Sequence, residues 1–215
     1  KLFFLFERAG IRQATKAIKY GLIVVRSLTT ARNFQKAITT LDKCSGYARS
    51  GGPQVRAEME KLIAVERDRT NLDKLADSPA SGQDPVSEAL QIESRWRARG
   101  QLPEKLIYPV LRALYGRNNG SDAREVFKRV LSDVRGVTSY PAWLQAEILH
   151  YQALSLLSAE HCSDESKTTA RLMFDQALDS ISNSDDAENL AARSRVLTSL
   201  ANQFSQTEDV KSMLE

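Results

Sequence analysis

The sequence predicts an all-α fold, built as antiparallel helix pairs in an α-solenoid-like stack. Three observations carry this. Apolar residues recur at three- and four-residue spacing along most of the chain and seldom alternate. Only 10 Gly and 6 Pro interrupt its 215 residues, and most of them fall between the helical stretches. One short pattern occurs twice, as Ala123-x3-Phe127-x2-Val130 and as Ala170-x3-Phe174-x2-Ala177. The small residue lets two helices approach closely and the Phe fills the space between them, so these six positions are read as structural packing between helices of a pair. About nine or ten helices are expected.

The elements follow in order. A first helix runs from about Phe3 to Gly10, or through it to about Thr29. Arg8, Arg12, Lys16, Lys19 and Arg26 fall on one face, and Ile11, Ala14, Ile18, Leu22 and Val25 on an adjacent one, which makes the helix amphipathic. A second runs from about Thr30 to Ala48 with Phe34, Ala37, Ile38 and Leu41 as its stripe, and Gly51-Gly52-Pro53 breaks the chain. A third spans about Gln54 to Leu75 on Val55, Met59, Leu62, Ile63 and Val65. Its second half, Glu66-Arg67-Asp68-Arg69, is polar and is expected to project into solvent. Residues 78–85, Ser-Pro-Ala-Ser-Gly-Gln-Asp-Pro, read as a linker. It separates a basic helical region, 1–77, from a helix-pair region, 86–215.

Asp84 is placed to cap the next helix, with Pro85 at its first position. That helix ends at Gly100. Another covers about Glu104 to Tyr115, with Pro109 kinking it or marking its start. Asn118-Asn119-Gly120 turns the chain, Ser121 caps the helix of Ala123 and Phe127, and Gly136 closes it. Pro141 opens a long helix with Leu144, Ile148, Tyr151, Leu154 and Leu157 inward. The helix of Ala170 and Phe174 spans about Ser166 to Ile181. Asp185 or Asp186 caps a final helix carrying Leu190, Leu197, Leu200 and Phe204.

Leu106-Ile107-Tyr108-x2-Leu111-x-Ala113-Leu114-Tyr115, followed by Ala123-Arg124-x-Val126-Phe127, resembles one repeat of the tetratricopeptide/pentatricopeptide superfamily. Tyr151-x-Ala153-Leu154, followed by Ala170-Arg171-x2-Phe174-x2-Ala177-Leu178, resembles a second. The resemblance covers roughly residues 104–181. Phe127 and Phe174 stand 47 residues apart, against about 34 in tetratricopeptide repeats. It implies a helical-repeat architecture and no particular function.

Charge is unevenly distributed. Residues 1–77 hold 15 Lys and Arg against 8 acids, residues 78–140 hold 10 against 7, and residues 141–215 hold 5 against 12. Such asymmetry suits an acidic partner at one end, or copies joined head to tail.

Catalytic chemistry finds little footing. The two histidines are His150 and His161. His161-Cys162, beside Asp164 and Glu165, reads as a polar loop, because no second ligand cluster stands at zinc spacing. Cys44 has no His near it in sequence and Cys162 only its immediate neighbour His161, which does not support nucleophilic catalysis. Gly51-Gly52-Pro53 lacks the Lys of a phosphate loop. The sequence therefore predicts no enzyme, no cofactor, no metal and no small-molecule substrate. Two distant cysteines predict a reduced, intracellular setting in cytoplasm or nucleus. The longest apolar run, about Tyr20 to Val25, is far short of a membrane span. The chain opens on Lys1, and the expectation is a piece of a longer protein.

Two kinds of contact surface remain. Arg8, Arg12, Lys16, Lys19 and Arg26, with Arg95, Arg97 and Arg99 around Trp96, are candidates to meet an acidic protein or RNA phosphates, Trp96 adding a ring for base stacking or for the core. Leu2, Phe3, Phe4, Leu5 and Phe6 form a candidate hydrophobic interface. The sequence is read as a non-catalytic protein-interaction and oligomerisation module, with another protein or a second copy as partner. An RNA-associated helical domain using the basic N-terminal helix is the alternative.

Overall fold

A computed structural model describes residues 14–51, 53–77, 84–115, 120–134, 136, 139–158, 162–182 and 186–204. Among them every regular element is a helix: α1 (Ala14–Thr30), α2 (Phe34–Ser50), α3 (Pro53–Asp77), α4 (Pro85–Arg97), α5 (Glu104–Leu114), α6 (Ser121–Val134), α7 (Ala142–Leu157), α8 (Asp164–Ser180) and α9 (Ala187–Phe204). None is long and apolar enough to cross a membrane. The chain divides into two units, Lys1–Leu114 and Tyr115–Glu215. Helices α4 and α5, assigned from the sequence to the C-terminal region, thus lie in the unit of α1–α3. Of the expected linker, residues 78–83 lie outside the described residues. Asp84 and Pro85 open α4 as expected, the Asp84 carboxylate accepting the backbone N–H of Val86 and Ser87 at 3.1 Å each.

In the first unit α3 is the central helix, in contact with α1, α2, α4 and α5. Its first half joins Ile18, Leu22 and Val25 of α1 and Ala37, Leu41 and Cys44 of α2 through Met59 and Ile63. The expected apolar face of α1 is therefore its buried face. Cys44 is wholly enclosed, and burial pushes its thiol up to about 11, so at neutral pH it is a protonated core residue and a poor nucleophile.

The second half of α3 departs from expectation. It does not project into solvent: Glu66 (2% exposed), Asp68 and Thr70 are buried beside Leu72 and Leu75. Neighbouring helices supply the partners that make burying these charges tolerable. Glu66 Oε1 accepts from Arg26 Nε of α1 at 2.8 Å and from Lys105 Nζ of α5 at 3.2 Å. Asp68 accepts from Arg95 Nη2 and from Trp96 Nε1 of α4, both at 2.7 Å.

In the second unit α7 is central, in contact with α6, α8 and α9. Ala123, Phe127 and Val130 of α6 and Ala170, Phe174 and Ala177 of α8 are all buried. Phe127 meets Tyr115 and Tyr151 at 5.8 and 6.0 Å between ring centres, and Phe174 stands edge-on to Phe204 at 6.3 Å. The final helix turns inward a face that carries only part of its large apolar residues. Asn189, Ala192, Val196 and Leu200 are buried, while Leu190 and Leu197 are exposed. The inward positions keep helical spacing, but three of the four are small or polar, so the outward leucines dominate a reading by hydrophobicity.

Candidate functional site

The first unit carries an open groove of about 510 Å³. Helix α1 lines it with Lys19, Leu22, Ile23 and Arg26, spaced at i, i+3, i+4 and i+7 and so on one face. Helix α3 contributes Lys61, Leu62, Val65 and Glu66, and Pro103 joins Glu104 and Lys105 at the start of α5. The floor is apolar and accessible, with Ile23 54% and Leu62 40% exposed. Four cations stand around it against Glu66 and Glu104. Arg26 and Lys105 share the single Glu66 carboxylate, so their cluster keeps a surplus positive charge. Lys19 and Lys61 make no ion pair with an acid among the described residues. Both are exposed. The groove therefore pairs an apolar surface with a positive rim, which suits an amphipathic, acidic ligand.

A second groove, of about 690 Å³, runs along another side of α3 and gathers Arg49, Arg56, Arg67, Arg95 and Arg99. Most of these are already engaged. Arg56 bonds Glu60 at 2.7 Å, Arg67 bonds Asp42 at 2.8 Å and Arg95 bonds Asp68. Arg99 lies over the Trp96 ring at 5.2 Å. Arg97 lines neither groove and bonds Glu93 at 2.6 Å. Trp96 itself is buried with its N–H donated to Asp68, so its ring is part of the core.

The sequence-predicted residues thus separate. Lys19 and Arg26 come together in the first groove, Arg95 and Arg99 in the second, and Lys16 is exposed on α1 outside both. Arg8, Arg12 and the candidate interface Leu2, Phe3, Phe4, Leu5 and Phe6 lie outside the described residues. Sequence reasoning missed Lys61, Leu62 and Lys105. Leu62 was read as core, and its adjacency to Lys61 was the available signal for an exposed apolar position on a basic face.

The second unit holds a buried polar network that the sequence reading also missed. Glu147, wholly enclosed on α7, bonds Arg195 Nε of α9 at 2.5 Å. His150 Nδ1 faces Glu147 at 3.3 Å, and its Nε2 faces Ser199 Oγ at 2.8 Å. Acid, imidazole and hydroxyl stand in the order of a hydrolase triad. Ser199, however, sits inside α9, where the helix ladder uses the neighbouring backbone N–H groups that would have to stabilise an oxyanion. Among the described residues no group of three His, Cys, Asp or Glu could hold a metal ion. His161 lies outside them, and both cysteines are free thiols.

The chain matches no family model, no curated protein and no solved structure.

Proposed function

We propose that the chain is a non-catalytic protein-interaction module. Its first unit receives an acidic amphipathic helix in the groove between α1 and α3. The carrying observation is the coincidence of exposed Ile23 and Leu62 with Lys19, Arg26, Lys61 and Lys105 around one concave surface. Fully burying a Leu or Ile side chain contributes about 1.5–3 kcal/mol. Covering these two half-exposed side chains contributes roughly 2 kcal/mol together, on the same scale. The rim adds orientation and salt-sensitive attraction more than affinity. Along the chain the helices are read as antiparallel pairs in a tetratricopeptide-like stack. The burial of both Ala-x3-Phe patterns supports that reading.

The reading predicts that a fluorescein-labelled helical peptide, with a leucine stripe flanked by glutamates, raises its anisotropy on titration with the chain. Binding should weaken as salt is raised. Lys61→Glu with Leu62→Glu should lower affinity at least tenfold, whereas Arg49→Glu in the other groove should leave it within about twofold. Absence of binding, or binding indifferent to the first pair of changes, would refute the docking site. A fluorophosphonate probe should leave Ser199 unlabelled, and labelling there would overturn the non-catalytic reading.

The RNA alternative draws on the basic stripe of the first helix, Arg8, Arg12, Lys16 and Lys19, with the arginines of the second groove beside it. It is supported less well, because Arg56, Arg67 and Arg95 already hold carboxylates and Trp96 is buried. Filter retention of single-stranded RNA at low salt, lost in Arg12→Glu with Lys16→Glu, would restore it.

A further inference from the structure

We infer that the natural occupant of the groove is α8 of a second copy of this chain, so that copies join head to tail. The inference rests on the docking function proposed for the groove and names its partner. Helix α8 sets Glu165, Thr168, Leu172, Asp175 and Asp179 at alternating three- and four-residue intervals, which places them on one helical face. All five are exposed, and Leu172 is 57% exposed. An apolar centre flanked by three carboxylates is the complement of a groove with Ile23 and Leu62 at its floor and lysines at its rim. Docking requires no rearrangement of the second unit, because α8 packs through the opposite face, Ala170, Phe174 and Ala177.

Charge favours the same pairing at larger scale. The first unit holds 20 Lys and Arg against 12 acids, the second 10 against 15. At the second unit's other exposed leucines, Leu190 and Leu197 on α9, the intervening exposed charge is Arg193. A cation there repels the groove's rim and does not pair with it. The groove and the α8 face are different surfaces, so the contact is heterologous. Each added copy leaves one groove and one face open, and assembly grows with concentration.

Sedimentation velocity on the full chain tests this. The wild-type chain should show an average mass that rises with concentration and falls as salt is raised. A groove variant, Lys61→Glu with Leu62→Glu, and a face variant, Leu172→Lys with Asp175→Lys, should each remain monomeric at concentrations where the wild-type chain at least doubles its mass. All four positions are exposed, and unchanged helical circular dichroism would exclude misfolding. An equimolar mixture of the two variants should form a dimer and stop there, since one intact groove meets one intact face. A monomeric wild-type chain, a face variant that associates normally, or a mixture that fails to pair would each overturn head-to-tail assembly. The peptide titration separates the two levels. Peptide binding by a monomeric chain leaves the groove's docking function standing and removes only the second copy, while failure of both removes the groove as well.

Discussion

Replacing Arg195 with Met should destabilise the C-terminal unit by about 3 kcal/mol, the lower end of the cost of breaking a buried ion pair. The Glu147 carboxylate is wholly enclosed, and Arg195 supplies its strongest partner at 2.5 Å. Among the described residues His150, at 3.3 Å, is the remaining contact and a weaker one. Adding Glu147→Leu to Arg195→Met should recover much of the loss, because an apolar pair of similar bulk leaves no unpaired charge in the core. Denaturant unfolding followed through Trp143, which lies in α7 of the same unit, reads both variants. If the single change cost less than about 1 kcal/mol, below the usual range for breaking such a pair, the network would not be the internal brace that its burial implies.

The second large effect is Phe174→Ala, expected to cost about 3–5 kcal/mol. Phe174 is fully enclosed, flanked by His150 at 5.9 Å and Phe204 at 6.3 Å between ring centres. Its removal deletes apolar burial and leaves a cavity in the space it fills between helices. The same unfolding experiment on Leu172→Ala, two residues earlier but outward-facing, should show a change within about 0.5 kcal/mol. Near-equal losses at the two positions would contradict the assignment of which α8 face is core.

These two residues show how far the sequence could be read. Phe174 was legible because its Ala-x3-Phe-x2-Ala spacing is local, and local spacing fixes a helical face. The Asp84-Pro85 start of α4 and the apolar stripe of α1 were legible for the same reason. What escaped depended on partners distant in the chain. Glu66 and Asp68 look like solvent-facing charges until Arg26, Lys105, Arg95 and Trp96 fold against them from 27 to 40 residues away. Glu147 and His150 could be seen as polar residues on an apolar helix, but Arg195 and Ser199, which justify their burial, lie 48 and 49 residues on. Helix α9 misled in part by composition, since two of its leucines, Leu190 and Leu197, face outwards and Ala192 and Val196 face in.

The groove was legible only in part for a related reason. Lys19 and Arg26 stood out on the amphipathic α1, and their basic stripe was a candidate from the start. The floor and the other half of the rim come from α3 and from residues 103–105, so no single stretch of sequence contains the site. The burial of Glu66 positions it: one carboxylate beneath the rim tethers Arg26 and Lys105 together and holds two cations beside Ile23 and Leu62.

The docking function can be located residue by residue by nuclear magnetic resonance. The isotopically labelled chain would be titrated with the acidic leucine-striped peptide while its backbone amide shifts are followed. Docking in the groove predicts the largest changes at Lys19, Leu22, Ile23 and Arg26 of α1 and at Lys61, Leu62 and Val65 of α3. Changes centred instead on Arg49, Arg56, Arg67, Arg95 and Arg99, or no changes at all, would contradict it.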